Sequence, residues 1–368
     1  MTVPNPKITS PRHSKTLSVE GSQMPNITHP KVIGLFSGCG GLDLGFQQAG
    51  YKIIYANDIE KNVKETYEYN LQHEIEIADI CNVDKSTIPE ADIILAGIPC
   101  QPFSSAGKRE STGTKNGNLF LQVIDVINHQ NSKPKVIIFE NVRGFLSSRD
   151  CGGVLMTDRF THEMASLGYT TKYKLLNASD YGVPSNRYRV FIVCIDDKIN
   201  VDFRFPQPNI MQHKVTVGDV IEKPLPQGEL HEVWDLPPSA QEIIHYIPEG
   251  GSWKNVPYEK LSDRHKKIRD NMKKYRSPNF YRRFSRDEVM GTITAASTPE
   301  NSGIFHPIEN RRYSVREIAR FQSFPDDFKF ITKSVASKYK MIGNSVPPKL
   351  ANAVAKEVKE QIFRIEED

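Results

Sequence analysis

Lys31-Val32-Ile33-Gly34-Leu35-Phe36, followed at once by Ser37-Gly38-Cys39-Gly40-Gly41-Leu42-Asp43-Leu44-Gly45-Phe46, decides how the chain is read. The first six residues have the short apolar pattern of a buried strand. Gly38, Gly40 and Gly41 then permit a tight turn, and helical spacing follows. Strand, glycine-rich turn and helix form the unit that brings a ligand close to backbone N–H groups at a helix N-terminus. Taken alone, the same turn serves equally as a plain strand-to-helix connection. The next unit repeats the arrangement, with a strand over residues 52–56 and then Asp58. Asp58 lies about 20 residues after the glycines, placed to accept hydrogen bonds from ribose hydroxyls; its other reading is a cap on the helix expected over residues 59–69. A third strand, over residues 74–78, ends at Asp79. Three such features in succession point to a nucleoside-containing cofactor.

Farther along, residues 91–96 form another apolar strand, and Gly97-Ile98-Pro99-Cys100-Gln101-Pro102-Phe103-Ser104 follows it. Cys100 is thereby expected on the turn at a strand's carboxyl end, where open α/β sheets bind ligands. Pro99 and Pro102 fix φ on either side of the thiol. Residues 104–118 are polar and aperiodic, the composition of a loop that closes over a substrate. A helix is expected over residues 119–129, then a strand over 135–139 that runs into Glu140-Asn141-Val142. A carboxylate directly after four buried apolar residues is costly to bury, so it is unlike surface decoration. A helix over 158–167 and strands near 173–176 and 190–195 complete the alternation. Before the last strand, Arg187 and Arg189 alternate and so share one face. From residue 31 to 195 the chain describes an α/β fold with a doubly wound, mostly parallel sheet.

The texture changes near Asp196. Residues 196–297 are Pro-rich, charged and aperiodic, which suggests a smaller irregular domain. Between Lys254 and Arg286 twelve basic residues face only Glu259, Asp263 and Asp270, interleaved with Tyr275, Phe280, Tyr281 and Phe284. That pattern suits a phosphate-contacting surface. Helical order is expected again over residues 311–330, with Glu317, Arg320 and Gln322 close together. The turn Gly343-Asn344-Ser345-Val346 then leads into an amphipathic helix over 349–364 that packs back on the sheet. The division expected is therefore an extension over 1–30, a catalytic and cofactor-binding domain over 31–195, a small domain over 196–330, and a returning segment over 331–368.

Composition excludes several classes. No apolar run approaches the roughly 18 residues of a membrane span, and the N-terminus lacks the apolar core of a signal peptide, so a cytoplasmic protein is expected. Five cysteines without CxxC or Cys/His ligand spacing fit a reducing compartment and no metal. The net charge of +4 decides no partner by itself.

Together these stretches resemble the DNA (cytosine-5)-methyltransferase family of the prokaryotic restriction–modification type. The likeness rests on the Phe36-to-Gly41 turn, Pro99-Cys100-Gln101, Glu140-Asn141-Val142, Arg187-x-Arg189 and Gly343-Asn344-Ser345-Val346, in that order. Thr292-Ile293-Thr294 looks like the element that ends the family's target-recognition region. The resemblance implies the S-adenosylmethionine-dependent methyltransferase fold with a second, target-recognition domain. It implies S-adenosyl-L-methionine as cofactor, held by Phe36, Gly38, Gly40, Gly41, Asp58, Ile59, Asp79, Ile80, Pro99, Asn344, Ser345 and Val346. Phe36 would stack on the adenine, Asp58 would hold the ribose, and Asp79 would contact the adenine amino group. The implied catalytic residues are Cys100, Glu140, Arg187 and Arg189, with Cys100 adding to C6 of a flipped cytosine and Arg187 holding the carbonyl oxygen of the base. The implied partners are double-stranded DNA and a cognate restriction endonuclease encoded nearby, and one active site per chain suits a monomer. The sequence departs from the family pattern at Ser185, usually Gln, and at Asp58, more often Glu, with Ile59 after it where a bulkier ring is frequent.

Two other readings use the same core. The runner-up is an RNA cytosine-5 methyltransferase, but the large basic region over 196–297 suits a fully base-paired substrate with groove contacts better than a tRNA loop. A silent DNA-binding protein would have no use for Cys100, Glu140 and Arg187 together.

Overall fold

The structure, a computed structural model, describes residues 29–99, 119–150, 152–209, 213–271 and 279–363. The expected alternation is realised as β1 (Lys31–Leu35), α1 (Gly41–Gln48), β2 (Lys52–Asp58), α2 (Lys64–Leu71), β3 (Glu76–Ile77), β4 (Ile93–Ala96), α3 (Leu119–Asn128), β5 (Val136–Val142), α4 (Met156–Ser166), β6 (Tyr169–Asn177) and β7 (Tyr188–Asp196). These strands form one sheet in the order β3-β2-β1-β4-β5-β7-β6. β1 pairs in parallel with β2 and β4, β2 with β3, and β4 with β5. The strand order reverses between β1 and β4, and this opens the crevice at their carboxyl ends where doubly wound sheets bind ligands. β7 runs antiparallel to both β5 and β6. The sheet is thus mostly parallel, as the sequence implies, with an antiparallel pair on one side.

Strand alternation divides the core in two. Val32, Ile93, Leu95, Val136, Ile138, Phe191 and Val193 face one side, while Ile33, Leu35, Ile94, Ile137, Phe139, Val190 and Ile192 face the other. Near-continuous apolar strands are what a sheet covered on both faces requires. The second side is covered by Phe120, Val123 and Val126 of α3 and by Met156, Phe160 and Met164 of α4.

The rest of the chain is built from short helices: α5 (Val217–Ile221), α6 (Pro238–Gln241), α7 (Asp263–Asp270), α8 (Val315–Phe321), α9 (Val335–Asn344) and α10 (Pro348–Ile362). Leu236, Ile243, Trp253, Leu261, Phe280, Tyr281 and Phe305 make a separate small core. Phe203, Val217, Phe284, Met290 and Ile293 instead join the first face of the sheet. The helix expected over 311–330 is confined to α8. Ser314 caps its start by accepting from Glu317 N–H, with Glu317 reciprocating. Ser323 then takes a left-handed φ of 61°, Pro325 follows, and Phe324, Phe328 and Phe330 pack ring against ring rather than on a helix.

α10 returns as expected, with Pro348 in its first turn, and lies against α1. The approach is close because Gly45 has no side chain: a Cβ there would overlap Ala351 Cβ and the Pro348 carbonyl. Gly45→Leu should therefore lower stability by ~2 kcal/mol or more, read as a lower urea midpoint at unchanged m-value.

Candidate active site

The carboxyl ends of β1, β2, β3 and β4 converge through their backbones. Ser37 N–H donates to Asn57 O at 3.1 Å, Ala78 N–H to Asp58 O at 3.0 Å, and Gly97 N–H to Leu35 O at 3.2 Å. Phe36 takes a left-handed φ of 57° as it leaves β1, a strained conformation for a bulky residue and one that gathers at ligand sites. Asp58 is held from two sides, its Oδ2 accepting from Gly38 N–H at 2.7 Å and its Oδ1 from Glu60 N–H at 2.8 Å. Burial raises its pKa, and those N–H groups work against the shift. Asp79 Oδ1 accepts from Cys81 N–H at 3.0 Å and caps the turn after β3.

The three glycines of the turn divide in function. A Cβ on Gly38 would meet open space, so its backbone faces a free volume. On Gly40 a Cβ would strike Tyr67 and Leu71, and on Gly41 it would overlap Ser345 and the Val346 carbonyl. Gly41 therefore brings the first turn of α1 against the segment after α9. Ile80 and Val346 are core residues, so their side chains face the interior. Ile59 is 61% exposed beside Asp58, and Pro99 and Asn344 are exposed as well. An acceptor carboxylate, an exposed apolar side chain and an open backbone turn at adjoining strand ends fit a nucleoside-bearing cofactor.

The second half of the site lies between β5 and β7. Glu140 stands opposite Phe191 and Val142 opposite Arg189, so Glu140 and Arg189 are diagonal neighbours on one face. Arg189 Nε lies 2.8 Å from Glu140 Oε1. The two groups form a close ion pair, with Glu140 buried. Burial raises the pKa of Glu140, and Arg189 and then Arg187 pull against it. The carboxyl therefore holds a proton more readily than an ordinary glutamate. Asn141 Nδ2 reaches the Ile98 carbonyl at 3.4 Å, joining the end of β5 to the segment that leads through Pro99 to Cys100. Cys100 itself, and the loop over 104–118, lie outside the described residues.

Arg187 is fully buried and serves a different purpose from Arg189. Its Nη1 donates to Ile293 O at 2.8 Å, and its Nη2 to Gly343 O at 2.8 Å and Ser345 O at 2.9 Å. It fastens the Thr292-Ile293-Thr294 stretch and the segment after α9 to the start of β7. Both terminal nitrogens of Arg187 are thus taken up by backbone carbonyls. Ser185 is fully buried. Asn186 Oδ1 accepts from Asn177 Nδ2 at 3.1 Å and Ser179 Oγ at 3.0 Å.

The basic stretch is also redistributed. Phe280, Tyr281 and Phe284 are buried core residues rather than a stacking surface. Arg283 is buried on the carbonyls of His306, Glu309 and Ile244, Arg282 pairs with Glu288, and Arg286 with Glu249. Lys254, Lys260, Lys266 and Lys267 have no ion-pair partner among the described residues. Lys273, Lys274, Tyr275 and Arg276 lie outside them. Cys39 and Cys194 are buried, and burial pushes both thiols up to about 12, which removes them as nucleophiles. Sequence reasoning missed Asn141 as a tie and Arg187 as a fastener, because each acts on backbone groups that carry no side-chain signature.

Compared with known proteins, the chain matches the family described as C-5 cytosine-specific DNA methylase over residues 30–360. It is 34% identical over 338 residues to the type II methyltransferase M.NgoFVII of Neisseria gonorrhoeae, covering 89% of this chain and 86% of that one. It is 35% identical over 349 residues to the type II methyltransferase M.MthTI of Methanothermobacter thermautotrophicus, covering 90% and 97%. The solved methyltransferase EhMeth of Entamoeba histolytica shares the fold, with a TM-score of 0.65 at 16% identity over 90% of this chain and 98% of that one.

Two predictions come from the buried charges. Arg187→Met should cost ~3 kcal/mol, because it strands buried carbonyls, and chemical denaturation measures the loss. Glu140 has a folded pKa above its unfolded value, so its contribution is full below the unfolded pKa and is lost as pH rises through the folded one. Glu140→Gln should accordingly raise the urea midpoint at pH 8, and the gain should disappear below about pH 4.

Proposed function

The chain belongs to the C-5 cytosine-specific DNA methylase family and is a methyltransferase that uses S-adenosylmethionine; on that premise we propose that it methylates C5 of one cytosine within a specific sequence of double-stranded DNA. The product would protect DNA from a cognate restriction endonuclease encoded nearby, a role that the likeness to type II methyltransferases supports. We place the enzyme in the cytoplasm as a monomer; among the described residues no helix is long and apolar enough to cross a membrane. The observation that carries the reading is the buried Glu140–Arg189 pair at the carboxyl end of β5, tied through Asn141 to Ile98 just before Cys100.

C5 of cytosine is a weak nucleophile until a nucleophile adds at C6. In the proposed sequence the Cys100 thiolate adds to C6 while Glu140 gives its proton to N3, so the ring becomes an enamine rather than an anion. The raised pKa of Glu140 supports this role, since burial favours the protonated carboxyl over the carboxylate. Arg189 holds O2 of the base with its remaining N–H groups, where charge develops, a contact of ~3 kcal/mol. S-adenosylmethionine, when bound, supplies the electrophilic methyl group. H5 then leaves C5 as a proton taken up by water, the C6–S bond breaks to return the Cys100 thiolate, and N3 returns its proton to Glu140. None of this fits inside a stacked duplex, so the cytosine is flipped out.

For the cofactor, Asp58 would accept from the ribose hydroxyls, Phe36 would stack on the adenine, Asp79 would accept from its amino group, and Ile59 and Asn344 would border the pocket. The open face of Gly38 supports this placement. Target choice belongs to the small domain expected over 196–330, centred on the core of Leu236, Trp253, Tyr281 and Phe305. Lys254, Lys260, Lys266 and Lys267 contact phosphates there.

Cys100→Ser should abolish turnover and leave cofactor and DNA binding in place, while Arg189→Ala should lower the rate by about a hundredfold. DNA with 5-fluorocytosine at the target position is the direct test, because fluorine cannot leave as a cation. Wild type should form a protein–DNA adduct that survives denaturation, and Cys100→Ser should form none. An adduct on another cysteine, or an undiminished one in Cys100→Ser, overturns the assignment.

A further inference from the structure

One step past the pair Val142–Arg189 in the β5–β7 register stand Arg143 and Tyr188. Arg143 opens the turn after β5, and Tyr188 is the first residue of β7. By alternation they lie on the face of the sheet opposite Glu140 and Arg189, at its carboxyl rim. The guanidinium carbon of Arg143 sits 5.7 Å from the centre of the Tyr188 ring. Both side chains are exposed, Tyr188 by 40%. Among the described residues Arg143 has no carboxylate within ion-pair distance, whereas Arg149 and Arg159 on the next segments are bound to Gly153 O and Asp150.

An unneutralised guanidinium resting on a ring is partly ordered before anything binds, so less rotamer freedom is lost when it engages an anion. Its fork suits a phosphodiester. Its position beside the catalytic pair, yet outside the pocket, suits the backbone of the strand whose base has entered. We propose that Arg143, seated on Tyr188, grips one phosphate of the target strand next to the flipped cytosine and holds that strand in register while the base is out. The inference rests on the reading of the chain as a DNA methyltransferase. Arg143 acts as a positioning residue; it touches neither the base nor the cofactor.

The test pairs variants of the full chain with duplexes carrying a single neutral methylphosphonate at each phosphate around the target cytosine. Wild type should lose on the order of tenfold in DNA affinity at one of these positions, with a salt dependence shallower by about one ion. Arg143→Ala should bind natural DNA as weakly as wild type binds that modified duplex, and be indifferent to the substitution there while staying sensitive elsewhere. Tyr188→Phe should retain the wild-type pattern, and Tyr188→Ala should fall between. Undiminished binding by Arg143→Ala, or losses that add at every position, overturns the assignment while methylation by the wild type stands. A wild type that neither binds nor methylates the natural duplex overturns the functional reading, and this inference with it.

Discussion

β7 enters the sheet antiparallel between β5 and β6, so its first residues, not its last, lie beside the carboxyl end of β5. Had it run parallel, its nine residues would have carried Arg189 about 25 Å away, to the far edge of the sheet. The reversed direction brings Arg189 to Glu140, and Arg143 to Tyr188, within one register. It also puts the start of β7 next to the segments that close the site from the other half of the chain. The carboxyl edge thereby gains charged groups that a wholly parallel sheet would leave to its loops.

Those segments are held by buried arginines rather than by strands. Outside the sheet, the described residues have isolated bridges in place of long ladders, so many buried carbonyls need donors from elsewhere. Arg187 serves Ile293, Gly343 and Ser345. Arg320 serves Lys223 at 2.7 Å and Pro224 at 2.6 Å while pairing with Asp326. Arg312 donates to Ser297 O at 2.6 Å and lies over the Trp234 ring. A guanidinium has five donors in a rigid fork, which suits irregular backbone better than any neutral side chain. Part of the basic character of the region between β7 and α9 is therefore structural, which narrows the lysines and arginines left for a polyanion.

Much of the sheet was legible because apolar runs bounded by glycine and charge have one economical arrangement, strands alternating with helices. The carboxylates at two strand ends were legible for a related reason: Asp58 and Glu140 follow apolar runs that must be buried, so each is fixed at the sheet's edge. The division among the three glycines was hidden, since Gly38, Gly40 and Gly41 look alike until Tyr67, Leu71 and Ser345 arrive from distant positions. Aromatic residues among lysines and arginines read as a nucleic-acid surface, yet Phe280, Tyr281 and Phe284 are interior. In a region without strand or helix periodicity, nothing local says which way a ring points.

The sequence by itself determined the strand-and-helix alternation, the identity of the acidic residues at the strand ends and the motif order that marks the family. Each is carried by neighbours in the chain, through patterning and local backbone preference. Only the tertiary structure decided that Arg189 rather than Arg187 faces Glu140 as its ion-pair partner, that Gly41 is a packing glycine, and that Asn141 ties β5 to the segment before Cys100. Those outcomes depend on strand direction and on contacts between residues far apart in the chain. Two arginines with one residue between them look equivalent until distant carbonyls claim one and a neighbouring strand claims the other.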